Sequence, residues 1–87
     1  MNNDIENAIA LLYDKEIHNA PVVISKGEKL LARQMVYLAK KYNIPIVEDE
    51  DTARTLMKLD IGKEIPYSLY GAVSVILRHV YKLKESL

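Results

Sequence analysis

No cysteine, tryptophan or phenylalanine occurs in this chain of 87 residues. Without cysteine there is no disulfide and no thiolate metal site, which fits a reducing compartment. Charge of one sign is also missing, because 12 Lys and Arg balance 12 Asp and Glu. That balance argues against a dedicated nucleic-acid binder. No apolar run approaches the ~20 residues needed to span a bilayer. Met1 is followed by Asn2, Asn3 and Asp4, which provide neither the basic start nor the apolar centre of a secretory signal. The expectation is a soluble cytoplasmic domain with no cofactor, no metal and no direct membrane insertion.

What is present is globular. Hydrophobic residues make up 49% of the chain and charged residues 28%, close to the usual proportions of a folded domain. Dividing so short a chain would leave neither half a core, so residues 1–87 read as one domain.

Ala8 to Tyr13 is a short apolar run closed by Asp14, which suits a strand covered on both faces. Polar residues then lead to Pro21 and a β-branched trio, Val22, Val23 and Ile24, the second expected strand. Gly27 is expected to end it. Ser25 and Glu28 have capping-box spacing for a following helix. Leu31, Met35, Leu38 and Tyr42 recur at helical spacing with Ala39 beside them. Lys40 and Lys41 suit the last turn, Asn43 can take a left-handed cap, and Pro45 prevents continuation. Ile44 to Val47 reads as a third strand, so that strand, helix and strand form a βαβ unit with a right-handed crossover. A second helix is expected over roughly Asp51 to Ile61, with Gly62 just past its end. The last begins near Pro66 and carries Leu69, Tyr70, Val73, Ile76, Leu77 and Val80 on one face. The fold class is therefore α/β. A small mixed sheet of about three strands, containing one βαβ unit, packs against three helices, the C-terminal helix being longest.

Candidate chemistry is sparse. The acidic run Glu48, Asp49, Glu50 and Asp51 contains hard oxygen ligands, but its spacing matches no EF-hand. Acids gathered at a helix N-terminus, favoured by the dipole, explain it more simply. His18 and His79 have no Cys, Asp or second His at ligand spacing. Neither has the positioned partner that a general base needs. Ser25-Lys26-Gly27 is a fragment of a phosphate loop without the remaining glycine and hydroxyl positions. Six tyrosines lie mostly near element ends, where rings pack and hydroxyls stay wet, although tyrosine also favours protein interfaces. Two function classes remain open at this point. One is a protein-interaction module. The other is a small-ligand or enzymatic site beyond the carboxyl ends of parallel strands, near Ser25, Lys26, Gly27, Glu48 and Asp49.

Four blocks in register narrow the choice. They are Tyr13-Asp14 with Ala20-Pro21-Val22-Val23 and Lys26-Gly27; Ile44-Pro45-Ile46-Val47-Glu48; Ala53-Arg54-Thr55-Leu56; and the run from Gly62 through Ile65, Pro66 and Tyr67 to Val73. In this order the chain resembles the C-terminal cytoplasmic domain of the flagellar export-switch family, FlhB and its injectisome counterparts, from about Asn7 to Leu83. The resemblance implies a non-enzymatic interaction module of the type III export apparatus, or else an inactive structural paralogue. Its partners would be export-apparatus proteins, including a truncated or cleaved switch protein, and its place the cytoplasm, peripheral to the membrane-embedded export gate. Lys26, expected on a partner-facing loop, Gly27 and the acidic residues Glu48 to Asp51 are the partner-binding candidates.

Members of this family carry an Asn-Pro-Thr-His motif in which asparagine attacks its own carbonyl and the chain breaks before proline. Aligned on Ala8 to Leu11, this sequence places Asn3, Asp4, Ile5 and Glu6 there. Only the asparagine is kept, so self-cleavage is not expected. Family members also place a strand before the motif. Its absence here leads to the expectation of an unpaired strand edge, open to a strand from a partner or to a second copy of the chain.

Overall fold

The computed structural model describes residues 5–85. Strand β1 (Asn7–Leu12) and strand β2 (Val22–Glu28) pair antiparallel. Helix α1 (Leu30–Lys41), helix α2 (Glu50–Leu56) and helix α3 (Tyr70–Glu85) follow, with one 3-10 turn at Tyr67–Leu69 leading into α3. The α/β class, the three helices and the long last helix stand as expected.

The two strands present different faces to two helical layers. On one face, small residues make room for α1. Ala8 pairs with Gly27 and Ala10 with Ser25. A Cβ built on Gly27 would stand 2.6 Å from Leu31 Cγ and 3.0 Å from Met35 Sδ. Gly27 therefore serves close packing of helix on strand, and β2 continues through it rather than ending there. On the other face, Ile9 and Leu11 pack against a core of Ala20, Leu56, Ile65 and Val73. Both faces of β1 are thus contacted but not fully covered: Asn7 to Leu11 are half-buried and Leu12 is exposed. Between Ala10 and Leu11 the register shifts, leaving Ile24 as the extra residue of a bulge.

The expected capping box at Ser25 and Glu28 does not form. Both residues lie in the strand, and Lys29 turns the chain into α1 with φ 53° and ψ −117°. That backbone region is uncommon for a residue with a Cβ. Its amide is held by the Glu6 carbonyl at 2.9 Å. The end of α1 follows the sequence closely. Asn43 adopts φ 58°. Asn43 N–H donates to the Lys40 carbonyl at 3.3 Å and Ile44 N–H to the Ala39 carbonyl at 2.8 Å, the paired bonds of a Schellman stop.

The third strand and the βαβ unit are not found. Residues Ile44 to Asp49 have no regular structure, and the sheet has two strands among the described residues. Something else pairs with the start of the outer edge of β2, at Pro21 to Val23. Val23 N–H donates to the Lys63 carbonyl at 3.0 Å, Gly62 N–H to the Val23 carbonyl at 2.7 Å and Ile65 N–H to the Pro21 carbonyl at 2.9 Å. Gly62 reaches this position with φ 92°, a conformation that suits glycine. Helix α2 is shorter than expected because the chain after Leu56 is drawn away to this edge.

Candidate protein-docking surface

The expected partner-facing lysine is occupied inside the fold. Lys26 lies in β2, not on a loop, and its side chain is half-buried. Its Nζ donates to the Met57 carbonyl at 3.1 Å and the Leu59 carbonyl at 2.8 Å. A cation at the carboxyl end of α2 is favourably placed against the dipole and pairs carbonyls that the ended helix leaves open. Gly27, beside it, is buried beneath α1.

The acidic run starts α2. Asp49 is the N-cap: its carboxylate accepts from Thr52 N–H at 3.0 Å and from Thr52 Oγ at 2.9 Å. The backbone bond from Thr52, then the hydroxyl bond, holds the Asp49 carboxyl below the ordinary aspartate range. Glu50 and Asp51 occupy the first helical turn, and Asp51 pairs with Arg54 at 3.2 Å. The simpler sequence reading, acids at a helix start, describes this geometry. Lys26 and Asp49 thus hold opposite ends of the same short helix. Of the degenerate motif positions, Ile5 and Glu6 lead into β1, whereas Asn3 and Asp4 lie outside the described residues.

The sequence did not reveal the concave surfaces. A shallow groove of about 300 Å³ is bordered by Tyr13, Ala20, Pro21, Ile65, Tyr70 and Val73. At its approach Tyr67 and Tyr70 lie with ring centres 5.0 Å apart, and Tyr67 is 84% exposed rather than packed. A larger groove, of about 1200 Å³, is bordered by β1, by residues 44–50 and by Met35, Leu38 and Tyr42 of α1. Leu38 and Tyr42 belong to the apolar stripe read from the sequence, yet they are 47% and 65% exposed here. Ile44 and Ile46, in the expected third strand, are exposed beside them. The sequence signal for this surface was the apolar stripe itself; the structure shows that part of it stays uncovered.

His18 accepts at Nδ1 from the Asp14 N–H at 3.1 Å and helps close the turn between β1 and β2. The side chain of His79 lies outside the described residues. No helix among the described residues is long and apolar enough to cross a membrane.

Residues 1–80 match the family described as FlhB HrpN YscU SpaS. The chain is 38% identical over 86 residues to the flagellar biosynthetic protein FlhB of Aquifex aeolicus, covering 98% of this chain and 25% of that protein. It spans about a quarter of that flagellar relative. It is also 38% identical over 82 residues to the protein YlqH of Bacillus subtilis, covering 94% of this chain and 88% of YlqH. Among solved structures, a mutated EscU/SpaS C-terminal domain superposes with a TM-score of 0.85 at 29% identity, covering 88% of this chain and 96% of that one. The PscU C-terminal domain gives a TM-score of 0.81 at 26% identity, covering 86% and 96%.

Proposed function

The chain belongs to the FlhB HrpN YscU SpaS family, and from that premise we propose that it is a non-enzymatic docking module of the flagellar or type III protein-export apparatus. The extent of the likeness carries the proposal. Sequence and fold both follow the family's C-terminal domain across nearly the whole chain, so the relationship is not confined to one motif. The local chemistry agrees with a binding role. Lys26 and Asp49 are engaged in ending and starting α2, while the larger of the two grooves is bordered by β1 and by apolar side chains that include Met35, Leu38 and Ile46.

In this reading the module works at the membrane-embedded export gate, and its partner is the export-switch protein in truncated or cleaved form. It does not cut itself: Asp4, Ile5 and Glu6 stand where the family's motif needs proline, threonine and histidine. Intact-mass measurement of purified protein after prolonged incubation should show no loss of residues 1–3. A species cut after Asn3, with aminopeptidase inhibited, would contradict this. The docking role is tested by tagging the chain in its native cells, cross-linking and identifying what co-purifies. Recovery of export-gate components is expected. Consistent failure to recover any, with the tagged chain folded and expressed, would overturn the proposal.

A further inference from the structure

We propose that the outer face of α1 is a docking surface for an anionic lipid bilayer, on which the helix lies at the headgroup level without crossing. The inference goes beyond the export reading and does not depend on it; it stands on the charge and exposure of one helix.

No acid occurs between Lys29 and Val47, whereas that stretch holds Lys29, Arg33, Lys40 and Lys41. In a chain of balanced charge this is a local excess, and the helix dipole explains half of it. Lys40 and Lys41 in the last turn are favourably placed. Lys29 is the N-cap and Arg33 lies one turn further on, at the end where a cation is unfavourable, and the first turn has no acid to offset them. Nor does the fold use these charges. Lys26 bonds two carbonyls and Arg54 pairs with Asp51, but the four cations of α1 make no ion pair or side-chain hydrogen bond among the described residues. Lys41 only stands over the Tyr42 ring, 5.8 Å from its centre. Lys29 also holds φ 53°, a backbone position that glycine would take at less cost.

Apolar side chains share that face. Leu30 is 72% exposed and Tyr37 65%. With spacings of four, three and four, Leu30, Gln34, Tyr37 and Lys41 fall on one line along the helix, and Arg33 and Lys40 flank it. This line is opposite Ala32, the buried residue of the helix. Cations and exposed apolar groups together are the composition of a helix that lies in a bilayer surface. The lysines and arginine reach the phosphates, while Leu30 and Tyr37 enter the headgroup boundary, a depth that suits tyrosine.

The form of the surface favours a bilayer over a small anion or a peptide. Leu30, Arg33, Tyr37 and Lys41 border neither groove, so neither encloses a ligand against them. The 12 residues of α1 extend about 18 Å, along which a planar array of negative headgroups meets all four cations at once. Glu48, Asp49 and Glu50, which would oppose such contact, border the larger groove instead.

The test mixes the full chain with vesicles of phosphatidylcholine containing about one-third phosphatidylglycerol, and with vesicles of phosphatidylcholine alone. Co-sedimentation should show at least tenfold tighter binding to the anionic vesicles, and high salt should remove that advantage. A spin-labelled lipid in the same vesicles should broaden the amide resonances of residues 29–41 before those of α2. Replacing two exposed side chains, Leu30→Gln with Arg33→Gln, should weaken binding at least fivefold with unchanged circular dichroism, whereas Arg33→Lys should retain it. A chain that binds vesicles but recovers no export component keeps the lipid face and loses the export role; recovery of export components without vesicle binding does the reverse. Equal binding to both vesicles, or broadening centred on another element, overturns the proposal. If soluble polyglutamate shifts the amides of residues 29–41 and vesicles do not, the face belongs to an acidic protein and the lipid assignment fails.

Discussion

At the scale of single residues, two glycines are required for opposite reasons, and substitution separates them. Gly62 has φ 92° and open space where a Cβ would go. Gly62→Ala should cost about 1–2 kcal/mol, the backbone penalty alone, and Gly62→Asn should cost less, because asparagine tolerates left-handed backbone. Gly27 has no positive φ, but a Cβ there would stand 2.6 Å from Leu31 Cγ. Gly27→Ala should cost about 1–3 kcal/mol by displacing α1, and asparagine there should be worse than alanine. Urea denaturation of the four variants measures both orders. Asp49 supplies a pH-dependent contribution. Its folded carboxyl titrates below the ordinary value because Thr52 donates to the charged form. The unfolded chain therefore binds the proton first as pH falls. The contribution is complete above the unfolded value of about 3.9 and is lost as pH drops through the lower folded value. The Thr52 amide resonance should report that lower midpoint, and Asp49→Asn should abolish its titration. A Thr52 midpoint at or above the ordinary aspartate value would contradict the cap.

At the scale of elements, the two paired strands and the three helices were legible, whereas the third strand, the start of α1 and the end of α2 were not. The stop of α1 could be read because Asn43 and Pro45 act locally, and the Schellman bonds formed there. The start of α2 was equally local, with Asp49 capping as an acid at a helix start should. The strand at Ile44 to Val47 and the end of α2 depended on distant partners that residue patterns do not name. A run of apolar residues shows that a segment can pair, not that a neighbour is present. At α2, two sets of partners competed. Continuing the helix would direct the Met57 carbonyl to Ile61 N–H and the Leu59 carbonyl to Lys63 N–H. Lys26 takes both carbonyls instead, and Gly62 N–H goes to Val23. The lysine that resembled a surface contact therefore ends a helix. Lys26→Met keeps most of the apolar stem and removes these bonds. It should lower stability by about 1–3 kcal/mol and speed amide exchange in residues 57–63 ahead of β1. Unchanged stability and exchange would show that the two bonds do not hold this segment in solution.

At the scale of the whole molecule, the core occupies only one side of the sheet's open edge. Fully buried positions include Val23, Ala32, Leu56 and Val73, and most are small. The α1 stripe read from the sequence stays largely open, with Leu31, Leu38 and Tyr42 exposed and Leu38 bordering the groove, whereas the helix's buried residue is Ala32, which lies outside that stripe. Two leucines that sequence periodicity treats alike should therefore respond differently to truncation. Leu56 is 3% exposed and packs with Ala20, Ile65 and Val73. Leu56→Ala should cost about 2–4 kcal/mol, from lost transfer energy and the cavity left behind. Leu38→Ala should cost the isolated chain only about 1 kcal/mol, because 47% of Leu38 stays exposed on folding. Chemical denaturation of both variants measures the contrast. If Leu38→Ala cost as much as Leu56→Ala in the isolated chain, the groove would already be closed over in solution, and the uncovered stripe would not be a surface kept for another polypeptide.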